Sequence, residues 1–408
     1  MTKKICTLII CVVLVLLCAA CSNNGTPYST QFKTPIPIAT PSEAYSYERV
    51  EAGARITSYN RTEKEVVIPD TIDGYAVVEI GTSAFNGNEN IEKVVIPGTV
   101  TLIDMAAFSS CTALQEVVIP DSVTRINDDA FAYCEALYKV TMSQNLQEVG
   151  LDILYGTRWI MEVPEDFVIL PGGFLLAYNG IGTDITVPST VKSIIGFRNP
   201  IVEKITVPGS VRFIAENAFR SLYVLKEVVL EEGITYIPEY TFSECQTLEK
   251  VTLPSSLNRI DMYAFKACSA LTQINLPEGI TAIGDAAFYD CKALRELVLP
   301  QTLKTIGKWV FPYSGLEKIT IPPQVTVLQE KMFYACANLE TVTLPTGLTG
   351  IENNVFNQCG KLAALKLPAT VTSLDDTIMD TEIELTVTKG SPADEYFAEY
   401  GHPVKYAK

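Results

Sequence analysis

Seven cysteines recur at one fixed position of a repeated phrase, three residues after a phenylalanine: Cys111, Cys134, Cys245, Cys268, Cys291, Cys336 and Cys359. Thiolates could ligate zinc or form a redox pair. Such sites need a local cluster of different residues, whereas here one small residue recurs in a column where Asn88, Leu222 and Ser314 can replace it. We therefore predict buried packing thiols. The alternative is one or two disulfides between successive repeats, which export from the cell would permit.

The chain has a single histidine, His402, six residues before its C-terminus. Ser–His and Cys–His nucleophile pairs require a histidine in a packed site, and most zinc sites require one as well. We interpret His402 as part of a terminal turn. The sequence thus predicts no catalytic residue, no cofactor and no metal, so the protein is not expected to be an enzyme.

Composition sets further limits on function. The 408 residues are 48% apolar and 19% charged, which is typical of a folded chain. The formal net charge is −16 and basic clusters are absent from the sequence. Nucleic acid is therefore excluded as an expected partner, and anionic lipid offers no electrostatic match.

A phrase of 23 residues organises most of the chain and reads L-x-x-V-x-L-P-x-x-L-x-x-I-x-x-x-A-F-x-x-C. Its first part alternates apolar and polar residues, which indicates a half-buried strand, and the proline ends that strand. A second short extended piece follows, and the Ala-Phe segment turns the chain back. One unit cannot bury its apolar face alone, so we predict about a dozen stacked coils with strands paired in parallel.

The repeat resembles the BspA-type leucine-rich repeat of bacterial surface proteins, over roughly residues 47–408. The resemblance implies a mainly β solenoid, curved, with a parallel sheet on its concave face and short turns or helical segments elsewhere. It also implies exposure at a cell surface and a role in binding or adhesion, without a particular ligand and without catalytic residues.

The N-terminus is a secretory signal with a basic start, an apolar centre and a small-residue cleavage site. Ala19-Ala20-Cys21 resembles the bacterial lipoprotein signal, which implies cleavage after residue 20 and lipid on the Cys21 sulfur. Residues 21–46 are rich in Pro, Ser and Thr and are predicted to be a tether. The membrane is thus reached through lipid alone, on the extracellular face of a bacterial membrane.

The remaining boundaries follow the rhythm of the repeat. We predict an N-terminal cap with two strand-like runs at 47–80, repeats at 81–154 and 188–380, and a C-terminal cap with a short helix and a last strand at 381–408. Between them, 155–187 breaks the pattern. FVIL and FLLAY around Pro-Gly-Gly predict a hairpin there. A hairpin inserted in one coil and a pair of degraded coils both fit the length of this stretch.

Two outward columns of the repeat strand are expected to line the concave sheet, which we expect to be continuous across every coil. One column alternates Lys and Glu, consistent with charge compensation, and the other is rich in Val and Thr. Tyrosines near the Ala-Phe turns are interpreted as ordinary coil edges. We predict that a protein on a host or neighbouring cell surface binds the columns at Lys250, Thr252, Asn275, Glu296, Val298, Lys318 and Thr320. The alternative is a passive envelope spacer without a dedicated ligand.

Overall fold

The computed structural model describes residues 39–375, 377 and 383–407, so the predicted signal segment and Cys21 lie outside the described residues. The described residues form a mainly β parallel solenoid of about 15 coils, which confirms the predicted fold class. The predicted dozen is low because residues at both ends also join the ladders of the stack. Ala44 is fully buried, so packing begins within the segment predicted as a tether.

The N-terminal part begins with one turn of 3-10 helix, Ser42–Ala44, and then holds five strands: β1 (Tyr45–Val50), β2 (Gly53–Tyr59), β3 (Glu65–Val67), β4 (Thr71–Ile72) and β5 (Tyr75–Ile80). β1 pairs antiparallel with β2, and β4 pairs antiparallel with β5. The prediction of two strand-like runs was wrong: β1, β2 and β5 are full-length strands, and β3 and β4 are too short to show alternation.

Each repeat places its Val-centred strand in what we call the front ladder, where neighbours pair in parallel. Lys250, for example, lies beside Glu227 on one side and Gln273 on the other. After β3, the strands of this ladder are β6 (Lys93–Val95), β8 (Glu116–Val118), β10 (Lys139–Thr141), β14 (Asp184–Thr186), β16 (Lys204–Val207), β18 (Glu227–Leu230), β20 (Lys250–Thr252), β22 (Gln273–Ile274), β25 (Lys318–Thr320), β27 (Thr341–Thr343), β29 (Ala364–Lys366), β31 (Glu384–Val387) and β32 (Val404–Tyr406).

The front ladder is not continuous, which corrects the expectation of one sheet across every coil. Its described strands form separate sheets, and a single bridge from Glu296 to Lys318 stands where a strand would be. Another gap lies between β10 and β14, where the repeat itself fails. Residues 294–300 follow the repeat, and nothing in their sequence explains the missing strand.

The second extended piece of each repeat forms the rear ladder, as predicted. Most of its strands have only two residues, because the chain must turn before and after them. After β2 and β5, they are β7 (Leu102–Ile103), β9 (Arg125–Ile126), β11 (Glu148–Val149), β13 (Phe174–Tyr178), β15 (Ser193–Ile194), β17 (Phe213–Ile214), β19 (Tyr236–Ile237), β21 (Arg259–Ile260), β23 (Ala282–Ile283), β24 (Thr305–Ile306), β26 (Val327–Leu328), β28 (Gly350–Ile351) and β30 (Ser373–Leu374).

A third ladder runs through the Ala-Phe turns and was not predicted. The N–H groups of Tyr263, Phe265 and Ala267 donate to carbonyl oxygens of the next coil at 2.7–2.9 Å. Tyr263 and Ala267 have φ of 58° and 59°, in the left-handed region, and equivalent residues of most coils do the same. Left-handed residues on both sides of the phenylalanine direct alternate N–H groups toward the same neighbouring coil.

The core contains a column of phenylalanines, one in each regular repeat, each nearly inaccessible to solvent. The rings of Phe242 and Phe265 lie 5.4 Å apart with planes 11° from parallel, and the ring of Phe288 continues the stack at 5.4 Å. Offset stacking of this kind is favourable for aromatic rings. The column holds the turns of successive coils in register.

The irregular stretch and the C-terminus hold the remaining elements: α1 (Arg158–Glu162), β12 (Phe167–Leu170) and α2 (Pro392–Glu399). β12 and β13 pair antiparallel, so a hairpin is present where the sequence predicts one. The N-cap Ser391 of α2 accepts a hydrogen bond from the Asp394 N–H at 3.3 Å, and β32 adds the last strand in parallel to β31. None of the helices in the described residues has the length and apolarity needed to cross a membrane.

Candidate binding surfaces

The front ladder presents all seven residues predicted to bind a partner as exposed side chains. Lys250 and Thr252 lie at the two ends of β20 with the buried Val251 between them, because side chains alternate along a strand. Lys318 and Thr320 have the same arrangement on β25. Asn275, Glu296 and Val298 follow in the columns outside the regular strands. That they contact a partner stays a prediction.

The charged column of the front ladder is compensated within the stack, as the sequence predicts. Lys250 Nζ lies 3.0 Å from Glu227 Oε1, and Lys318 Nζ lies 2.7 Å from Glu296 Oε1. The hydrogen bond that Lys318 donates to Glu296 raises the pKa of Lys318, which therefore stays protonated. Exposed pairs of this kind contribute only about 0–1 kcal/mol each.

The second column exposes apolar surface. Val298, outside the regular strands, is 82% exposed, and Val118, in β8, is 47% exposed. Because β8 pairs with β6 and β10, the backbone at Val118 is fixed and would lose little conformational entropy on binding.

A tyrosine column follows the third ladder. The rings of Tyr240 and Tyr263 lie 4.7 Å apart, and those of Tyr313 lie 5.4 Å from Tyr289 and 5.9 Å from Tyr334. The sequence placed these residues near the turns, but only the structure brings their rings into contact. Most of them are half-buried.

A concave feature lies where the repeat breaks. We call it the interruption cleft and define it by Asp152, Tyr155, Met161, Arg198 and Glu216. It has two adjoining lobes of about 690 and 270 Å³ that share Asp152 and Arg198. Within the described residues, no backbone hydrogen bond of the third ladder joins 151–157 to 195–201, and the gap opens there.

Arg198 crosses the boundary between the two lobes. Its Nη2 donates to Asp152 Oδ2 at 2.9 Å, and its guanidinium carbon lies 4.3 Å from the Tyr155 ring centre. Burial raises the pKa of Asp152 and the nearby Asp128 raises it further, while the charge of Arg198 opposes both. The only signal for this site in the sequence is the break in the 23-residue repeat.

The repeat cysteines are buried and lie outside any disulfide, which confirms the packing prediction. Burial raises the pKa of Cys245 and of Cys336 to about 12, so neither forms a thiolate near neutral pH. No cluster of three or more His, Cys, Asp or Glu side chains suited to a metal occurs in the part of the chain that the structure describes.

Solved structures with similar chains are leucine-rich repeat proteins. One from Bacteroides ovatus is 21% identical, with 90% of this chain and 98% of that chain covered at a TM-score of 0.45. One from Eubacterium ventriosum is 20% identical, covering 83% and 86% at 0.45. A leucine rich cell surface protein from Faecalibacterium prausnitzii is 20% identical, covering 91% and 96% at 0.35. None of the curated proteins compared with the chain matches it.

The sequence model of the BspA type leucine rich repeat region matches in six copies, over residues 59–164, 193–313 and 258–386. These ranges cover well over half of the chain and include both stretches of regular repeats. The 23-residue coil, the phenylalanine column and this match agree, and the chain belongs to the BspA-type leucine-rich repeat family.

Proposed function

We propose that the protein is a surface-exposed adhesion or recognition module, held at the extracellular face of a bacterial membrane by lipid on Cys21. Its partner is a protein on a host or neighbouring cell. The N-terminal signal supports the anchor, and the leucine-rich repeat family supports an interaction role.

The observation that carries this proposal is the exposed side chain of Val298 in the outward column of the stacked coils. Side chains of Lys250, Thr252, Lys318 and Thr320 extend the same surface over neighbouring coils. Rigid, exposed, mixed polar and apolar columns suit a protein surface, because association then costs little ordering entropy. Alternating charge should make the affinity only modestly dependent on salt.

One observation favours a second candidate, a passive spacer in the envelope. The ion pairs Lys250–Glu227 and Lys318–Glu296 already compensate the charges of the front ladder, so the stack needs no partner for that purpose. A spacer would tolerate substitutions on this face, whereas a binding surface would not.

The test is a pull-down with the purified protein against host matrix proteins and bacterial surface proteins, followed by affinity measurements. Thr252→Arg and Val298→Arg should each lower the affinity for the captured partner about tenfold, since both side chains point outward. Thr346→Arg is the matched control, an exposed position outside the proposed surface.

Two results would contradict the front-ladder proposal. Capture of no partner would favour the spacer. Loss of binding in Tyr289→Ala, with both front-ladder arginines tolerated, would move the site to the tyrosine column.

A further inference from the structure

The smaller lobe of the interruption cleft is apolar. Ile160, Met161, Leu176 and Ala177 line it, and Met161 is 66% exposed at its mouth. A volume of 270 Å³ is below the range of about 300–1,000 Å³ typical of sites for whole drug-sized ligands. It suits one apolar side chain of a larger partner.

Carboxylates dominate the surroundings of the cleft. Asp128 and Asp129 stand beside Asp152, and the pKa of Asp129 is raised by burial and then by the charge of Asp152. Glu216 lines the larger lobe. Burial raises the pKa of Glu239, and the charge of Glu216 raises it further. Burial is the larger cause of both pKa shifts, and the neighbouring carboxylates add to it, so negative charge lies on both sides of the cleft.

The two cations of the cleft are already engaged. Arg198 is held by Asp152 at 2.9 Å, and Arg220 Nη2 lies 2.6 Å from Glu244 Oε1. Arg198 also shows how a guanidinium is accommodated here, against the Tyr155 ring and a carboxylate. A second cation would find Glu216 in the larger lobe, whereas an incoming carboxylate would meet like charge.

We propose that the interruption cleft binds a basic segment of a partner protein, with an apolar side chain in the smaller lobe and a neighbouring Arg or Lys beside Glu216. This inference rests on the proposed function, because it assigns a protein partner a second contact surface away from the front ladder. Charge complementarity favours a basic segment as the occupant. The apolar lobe fixes the spacing between the apolar side chain and the basic side chain of that segment.

The test uses the full-length protein and three fluorescently labelled hexapeptides, which alternate leucine with arginine, leucine with glutamate, and serine with arginine. Fluorescence anisotropy should show saturable binding of the leucine–arginine peptide, weaker binding of the serine–arginine peptide, and none of the leucine–glutamate peptide. Added salt should weaken the interaction.

Variants locate the site on the protein. Glu216→Gln should lower the affinity for the leucine–arginine peptide about three- to tenfold, and Met161→Gln should lower it about threefold. Both side chains are exposed, so thermal melts should match the parent protein. Glu399→Gln, on the exposed face of α2, makes the same change in net charge and should leave the affinity unchanged.

Several outcomes would overturn the proposal. No saturable binding would do so, as would equal weakening by Glu399→Gln, which would indicate general attraction to an acidic protein. Tighter binding of the leucine–glutamate peptide would assign the cleft to an acidic partner through Arg198. A partner captured in the pull-down that is insensitive to Glu216→Gln, together with peptide failure, would reject the cleft and leave the proposed function intact.

Discussion

The Sγ atom of Cys268 lies 3.1 Å from the carbonyl oxygen of Phe242, one coil earlier in the stack. The thiol donates to this oxygen. All seven repeat cysteines make the same contact, at 3.1–3.3 Å, with the repeat phenylalanine of the previous coil. The same oxygen also accepts the Cys245 N–H at 3.2 Å, so the thiol is its second donor. The cysteine column therefore fills space and adds a hydrogen bond between successive turns.

Thiol labelling checks this arrangement. At pH 8 the native protein should show no reactive repeat thiol, because Cys268 is fully buried and burial raises its pKa well above the ordinary value. After denaturation without reductant, seven repeat thiols should react. Thr346→Cys, at an exposed position, should label at once in the native state. A single reactive repeat thiol after denaturation would mean three disulfides and contradict the structure.

The same burial predicts a loss of stability at high pH. The folded state raises the pKa of Cys245 from 9.0 to about 12, so between these values the folded protein holds a proton that the unfolded chain has released. The free energy of unfolding should then fall as the pH rises above 9, by at most about 1.4 kcal/mol per pH unit for this thiol. Below pH 9 the contribution is fully present.

Denaturant titrations at pH 8, 9, 10 and 11 measure this effect by comparison with Cys245→Ala. Tyrosines and lysines titrate in both proteins, so the difference between the two curves isolates the thiol. The variant should lose less stability with rising pH than the parent. Parallel curves would show that Cys245 does not change its pKa on folding.

Phe265→Ala tests the aromatic column. Its ring is fully buried between Phe242 and Phe288, so its removal should lower the free energy of unfolding by about 3–5 kcal/mol. Phe213→Ala is the control, because Phe213 is 44% exposed on the rear ladder. Thermal or denaturant unfolding should separate the two variants clearly. Equal effects would argue that the stacked column does not dominate the core.

The anchor is tested by Cys21→Ala. Metabolic labelling with a fatty acid should mark the parent protein and not the variant, which should be released or accumulate as the precursor. Acyl labelling that persists in the variant would reject Cys21 as the attachment site. Cys18→Ala is the matched control, since the proposed cleavage removes Cys18 with the signal segment.

The repeated parts of the fold were predictable because the same physical constraint recurs many times. Pro254 ends a strand in its coil, as the equivalent prolines do in other coils. Phe265 is buried, and so are the equivalent phenylalanines of the other repeats. The 22-residue step before Phe333 is also explained locally. A Cβ on Gly315 would lie 2.2 Å from the Lys292 carbonyl oxygen, so only glycine lets the chain take this shorter path.

The third ladder could not be predicted in the same way. Tyr263 and Ala267 adopt left-handed backbone conformations that cost about 1–3 kcal/mol for residues other than glycine, and local preference argues against them. Hydrogen bonds to the next coil and the buried Phe265 compensate this cost. These contacts join residues more than 20 positions apart, which a reading of local sequence does not resolve.

The interruption cleft was predictable only as a location. The sequence shows that the 23-residue repeat fails between Thr141 and Pro188, and it predicts a structural hairpin in that stretch. The contact between Arg198 and Asp152 joins residues 46 positions apart in irregular chain, where no repeat fixes the register. Its chemistry therefore emerges only from the folded geometry.

The three ladders also govern how such a gene can change its length. The coil at residues 248–270 bonds to both of its neighbours through the front, rear and third ladders at once, so a viable deletion of such a coil must restore all three registers together. Removing residues 248–270 would join Thr247 to Leu271 and set Phe288 upon Phe242 and Cys291 upon Cys245. Removing one residue more or fewer would misalign every later coil unless a glycine shortcut such as Gly315 absorbed it. Recombination between repeats therefore conserves the fold when it adds or removes whole coils, and the length of this protein can evolve in steps of 23 residues.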